Sequence, residues 1–262
     1  MKSVIRSFLV AFSEYSISPK SSIERKKENC EWVLICLPLI GLIITVIINR
    51  WAVLYPYMCD YQILPAIVGA VVPIVLSGGN HLKGFFKTVD AISSHKSKEE
   101  KIRILSTDYH GGYTAITVCS CLLLLAIGIW SEMPIEGIFV IAFAYIISMS
   151  LAGISLLTMK HATESKATAY IPESKAVGIV QVLTNIGYII VCIVLMHDIA
   201  MSFNKPRVCY FSLAGAALSY IYCYFASKKN FGGVTEETAN YFIVVCEVVI
   251  PVLALVAFKS PI

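Results

Sequence analysis

Residues 32–48 read WVLICLPLIGLIITVII, seventeen positions without a charged side chain. Coiled as a helix at about 1.5 Å per residue, such a run nearly crosses the roughly 30 Å hydrocarbon core of a bilayer, where every backbone polar group must bond internally. Working outward, further apolar runs follow at roughly 61–77, 114–130, 135–157, 177–196, 208–226 and 241–258. The run at 61–77 is the weakest, because Pro65 and Pro73 kink it and the preceding Trp51 to Met58 has the composition of an interfacial segment. The pattern predicts an all-α polytopic membrane helical bundle over residues 1–262. It has about seven transmembrane helices, or six if the run at 61–77 does not span.

Composition agrees. Of 262 residues, 57% are hydrophobic and 15% charged, with a mean hydropathy of +0.75, too little charge to cover a water-soluble domain. A net charge of +4 is too small and too dispersed to imply a nucleic-acid partner; the implied partner is the lipid bilayer. Of the nine cysteines, Cys36, Cys119, Cys121, Cys192, Cys223 and Cys246 lie inside apolar runs, where cysteine acts as a small hydrophobe. Neither a disulfide framework nor a zinc-site spacing is expected. Residues 1–31 are no cleavable signal, since Arg6 and Ser7 interrupt the apolar stretch. Val4, Ile5, Phe8, Leu9 and Phe12 instead recur at helical spacing, as in an amphipathic helix on a membrane surface.

With seven spans, the first 31 residues and the loops at 78–113, 159–176 and 227–240 share one side. They hold seventeen Lys and Arg against four on the other side, which makes them cytoplasmic by the positive-inside rule. The loop at 78–113 is the richest. Lys83, Lys87 and Asp90 fall on one helical face, Ser97 and Glu100 have capping-box spacing, and Gly111 and Gly112 lead back into the membrane. Gly78 and Gly79 end the preceding apolar run, and His81 follows. Near the other end come Gly232, Gly233, Thr235, Glu236 and Glu237, and Glu247 stands deep in the last apolar run. An intramembrane carboxylate is costly, so it is expected to face the bundle interior beside a partner or substrate.

These pieces, in this order, resemble the cobalamin 5'-phosphate synthase family, the adenosylcobinamide-GDP ribazoletransferases. Pro38, Leu39, Ile40 and Gly41 are similar to its Pro-Leu-x-Gly. Gly78, Gly79, His81, Lys83, Gly84, Lys87 and Asp90 follow its Gly-Gly-x-His-x-Asp-Gly with two further aspartates, and Asp108 and Gly112 its Asp-x-x-x-Gly. Ser148, Met149, Ala152, Gly153 and Ile154 resemble a serine segment late in a span, and Gly232 to Glu237 with Glu247 resemble its last motif. The resemblance implies a multi-pass inner-membrane enzyme, its motif loops and amino terminus cytoplasmic. Its substrates would be a corrinoid nucleotide and α-ribazole or its phosphate, joined with release of GMP and with Mg²⁺ required. It further implies His81, Asp90 and Asp108 as catalytic residues. Gly78, Gly79, Lys83, Lys87, Gly112, Gly232, Gly233 and Thr235 would bind substrate, and Asp90, Asp108, Glu236, Glu237 and Glu247 would hold metal. Oligomeric state is not implied.

The chain departs from that pattern at polar positions. Lys83 and Lys87 stand for two motif aspartates, Met149 for an arginine, Lys166 for a glycine, and Glu236 and Glu237 for Gly-Asp. Three readings follow: a transferase in which lysines contact the diphosphate directly, a catalytically degenerate relative that binds corrinoid or scaffolds the pathway, or a membrane transporter with lysines for an anionic substrate.

Overall fold

The computed structural model describes residues 2–16, 30–54, 63–107, 112–162 and 170–260. In chain order the helices are α1 (Lys2–Tyr15), α2 (Val33–Leu54), α3 (Ile63–Leu76), α4 (Asn80–Ser93), α5 (Lys98–Ser106) and α6 (Tyr113–Glu132). They continue with α7 (Ile135–Ile141), α8 (Ala144–Thr158), α9 (Lys175–Ser202), α10 (Pro206–Phe231) and α11 (Glu236–Lys259). Among the described residues, six stretches are long and apolar enough to cross a membrane: α2, α6, α7 with α8, α9, α10 and α11. The weakest of the seven expected spans is α3, whose 14 residues reach only about 21 Å. The chain then bends by 90° into the amphipathic α4, which lies outside the long spans.

The span of α7 and α8 is the most enclosed and forms the centre of the bundle. It breaks at Ala142 and Phe143, and Thr45 Oγ1 of α2 donates to the Ala142 carbonyl at 2.7 Å. A broken helix inside hydrocarbon needs such a donor, because no water is there to supply one. Small residues bring the backbones together: a methyl group on Gly41 would run into the Tyr145 backbone, and one on Gly153 would lie 3.0 Å from the Leu34 carbonyl. The outer face of α9 presents Ile179, Leu183, Ile186, Ile190 and Val194, a stripe of exposed apolar side chains suited to lipid.

The expected amphipathic helix forms at α1, with Val4, Ile5 and Leu9 exposed. Its other face is part of the core: Val10, Ala11 and Tyr15 are buried, and the Trp32 N–H donates to Ser7 Oγ at 3.2 Å. The capping box of Ser97 and Glu100 is present at the start of α5.

Three contacts fix α4. At Gly84 it lies directly on α11, where an added Cβ would meet Asn240 Cβ at 2.5 Å and the Glu237 carbonyl at 3.1 Å, and the Phe85 and Tyr241 rings stack one residue on. One turn further, the buried Lys87 ammonium donates to the Leu105 carbonyl at 2.9 Å, tying α4 to the last turn of α5. At the end of α4, Asp90 Oδ2 accepts from the Gly112 N–H at 2.6 Å and Oδ1 from the Ala115 N–H at 3.2 Å. Gly112 is the N-cap of α6 and has no side chain to cap with, so a carboxylate from 22 residues earlier fills that role.

Three substitutions test this packing. Gly84→Ala lowers the thermal midpoint of the detergent-solubilised protein, by about 1–3 kcal/mol of overpacking. Gly187→Ala, where nothing lies within 4 Å of an added Cβ, is neutral or stabilising. Asp90→Ala costs about 2 kcal/mol, for an N-cap whose acceptor is charged. It also speeds hydrogen exchange at the Gly112 and Ala115 amides. Unchanged exchange there means Asp90 does not cap α6.

Candidate active site

The site begins with a turn. Gly78 and Gly79 both have positive φ, 62° and 69°, and the Gly79 N–H reaches back to the Ile74 carbonyl at 3.1 Å to close the end of α3. Two successive left-handed residues are strained for anything but glycine, and nothing lies within 4 Å of a Cβ on Gly79, so backbone conformation alone demands the glycine there. The turn lays α4 across the bundle with His81 in its first turn, over a cavity.

That cavity, about 90 Å³, lies between α3, α4, α6, α8 and α11, with Pro73, Cys119, Trp130 and Pro251 among its apolar walls. It has room for a reacting end, not for a whole nucleotide. Four polar side chains also line it: Ser77, His81, Tyr145 and Glu247. His81 is 4% exposed, and its Nε2 has no hydrogen-bond partner among the described residues. Burial pushes its pKa down to about 4, so the ring is neutral at physiological pH. The Tyr15 ring of α1 lies 5.8 Å from it, centroid to centroid. Glu247 has the partner its depth requires: Ser148 Oγ lies 3.3 Å from Glu247 Oε1. Few polar groups converging in an apolar wall is the usual character of a small-molecule site.

The fold pairs motif positions that are distant in sequence. Ser148 meets Glu247, Asp90 meets Gly112, and Gly233 packs against the Lys160 and His161 backbone at a place where no Cβ fits. The other expected residues are more dispersed. Lys83 is exposed, whereas Lys87 is buried and engaged with Leu105. Thr235 caps α11, its Oγ1 accepting from the Thr238 N–H at 3.1 Å, and Gly232 closes α10 in the left-handed conformation. Glu236 and Glu237 occupy the first turn of α11, about 15 Å along the helix axis from Glu247, too far to share an ion with it. Both Asp90 oxygens hold backbone N–H groups. Among the described residues, no three His, Cys, Asp or Glu side chains form a group able to hold a metal ion. Asp108 and Lys166 lie outside the described residues.

Two contributors escaped the sequence reading. Tyr145 stands one turn before Ser148 on the same side of α8, a spacing that marks it. Trp130 packs on α3, where its ring lies within 3 Å of any Cβ added at Gly69. Only the α3–α6 contact reveals that.

Burial of neutral His81 has a signature in pH. Above about 6.5 both folded and unfolded chains carry it neutral; below that the unfolded chain binds a proton that the folded one refuses until about pH 4. Stability therefore falls as pH drops through this window, by about 3 kcal/mol in all. Thermal midpoints between pH 7 and pH 4 are expected to slope less in His81→Gln than in the parent. Equal slopes mean that His81 is not buried as the neutral ring.

The model of the cobalamin-5-phosphate synthase family matches residues 7–256. An adenosylcobinamide-GDP ribazoletransferase of Lachnoclostridium phytofermentans is 28% identical over 256 residues, covering 97% of this chain and 94% of the relative. One of Clostridium botulinum strain Alaska E43 is 24% identical over 262 residues, covering 95% and 96%. One of Klebsiella pneumoniae is 27% identical over 167 residues, covering 62% of this chain and 67% of its own. No solved structure matches. Matched by the family model over nearly its whole length, the chain belongs to the cobalamin-5-phosphate synthase family.

Proposed function

We propose that the protein joins α-ribazole, or its phosphate, to adenosylcobinamide-GDP and releases GMP. The relatives' names supply the substrates. The observation that carries the reading is the buried, unpartnered His81 beside Glu247 in an apolar cavity under the glycine turn. In the reaction an alcohol oxygen of the ribazole attacks the cobinamide-bearing phosphorus, the bond from that phosphorus to the bridging oxygen breaks, and GMP leaves with that oxygen. The hydroxyl proton passes to solvent or to the leaving phosphate.

The chain's own residues fit roles in that step. The neutral His81 ring binds the attacking hydroxyl and orients it, with the Tyr15 ring fixing the imidazole plane. Glu247, held by Ser148, faces the same cavity and orients polar groups of the ribazole. Exposed Lys83, half a turn beyond His81, meets the diphosphate. Asp90 and Lys87 act as positioning residues by holding α6 and α5 against α4. The excess of lysine and arginine on the side that carries the motif loops supports a cytoplasmic setting for that side.

A second reading, a catalytically degenerate relative that still binds corrinoid, is favoured by one observation. Lys87 stands where the family has an aspartate, and its ammonium is buried against the Leu105 carbonyl.

The purified protein, given adenosylcobinamide-GDP and α-ribazole phosphate with Mg²⁺, is expected to release GMP, and His81→Ala to slow that release by about a hundredfold. Parallel reactions in chelator measure any metal requirement. Corrinoid binding without GMP, in conditions where a family member with all three aspartates turns over, establishes the degenerate reading instead.

A further inference from the structure

A second cavity, of about 440 Å³, opens away from His81, at the end of α10. Its lining includes Lys98 from the first turn of α5, Met159 and Lys160 from just beyond α8, Tyr224 and Lys228 from α10, and Gly232. Among the described residues, no acidic side chain lines it. Three lysines distant in sequence thus meet in one concave space.

Their placement is built by the fold. Lys101 Nζ donates to Asn230 Oδ1 at 2.8 Å, which holds α5 against the end of α10 and sets Lys98 at the rim. The Val234 N–H donates to the Lys160 carbonyl at 2.9 Å, and the Ala162 N–H to the Val234 carbonyl at 3.1 Å, fixing Lys160 opposite. Lys228 Nζ lies 5.7 Å from the centre of the Tyr224 ring. Among the described residues the ion pairs are His197 with Asp198 and Lys259 with Glu132, and none of these three lysines takes part in them. The nearest acid in sequence, Glu99, points its influence to the Ser97 cap and to Lys98 but does not line the cavity. Three like charges around one cavity repel, and an anion placed among them relieves the repulsion.

We propose that this cavity binds a phosphate group, with Lys98, Lys160 and Lys228 as its cationic contacts. Beside it, Ile221, Tyr224 and Phe225 are exposed on the outer face of α10, so an apolar body can continue from the phosphate along the helix. That chemistry belongs equally to an anionic phospholipid headgroup and to a soluble nucleotide monophosphate. The inference stands apart from the transferase reading, because it concerns binding and needs no turnover.

The test uses the full chain in nanodiscs. One arm titrates GMP into phosphatidylcholine discs; the other measures phosphatidylglycerol retained from mixed discs after detergent exchange. Lys98→Gln, Lys160→Gln and Lys228→Gln are made singly and together, with Lys229→Gln as an exposed control that does not line the cavity. Each lining substitution is expected to weaken binding in one arm by about fivefold, with Lys229→Gln unchanged. Should the triple variant not fold, the single variants decide. Weakening in the GMP arm assigns a nucleotide, and weakening in the lipid arm assigns a headgroup. Parent and lining variants alike in both arms, or Lys229→Gln as damaging as the others, overturns the proposal.

Discussion

Gly84 lets α4 rest directly on the first turns of α11, and the candidate site depends on that approach. With no Cβ between them, the two helices come close enough for Phe85 to stack on Tyr241, and His81, one turn earlier on α4, is carried over the cavity that Glu247 lines from α11. A side chain at Gly84 would lift α4 from α11 and open the cavity to its surroundings. The glycine turn before it sets direction, and the contacts of Lys87 and Asp90 after it set distance.

This arrangement gives polar residues two kinds of work. Asp90, Lys87 and Thr235 satisfy helix ends: one carboxylate on the N-terminus of α6, one ammonium on the last turn of α5, one hydroxyl on the start of α11. His81 and Glu247 face space instead, and His81 Nε2 lacks a partner among the described residues. A buried polar atom without a partner costs about 1–3 kcal/mol, so its persistence favours a ligand that completes it. The two lysines of α4 fit the same division. Lys87 is internal scaffolding, while Lys83 is exposed where an anion can reach it.

Much of the bundle was legible from hydropathy. Runs of apolar residues gave the spans because hydrocarbon forces backbone groups to bond within one helix, and the run at 61–77, doubtful for its prolines, is the one whose helix, α3, is short and followed by a 90° bend. The capping box at Ser97 and Glu100 was legible because both partners are local. Of the site, His81, Asp90 and Glu247 stood out as polar residues in unusual places. Their roles did not, because a one-dimensional pattern marks a costly residue without naming what offsets the cost.

The sequence by itself determined that this is a helical membrane protein, where most of its helices lie and which family its motifs follow, since these rest on composition, spacing and local bonding. Only the tertiary structure decided that Asp90 caps α6 across 22 residues, that Ser148 reaches Glu247 across 99, and that three lysines distant in sequence share a cavity. Such contacts are set by how closely helices pack at Gly41, Gly84 and Gly153. Packing distance is a property of pairs of helices, and no single stretch of sequence carries it.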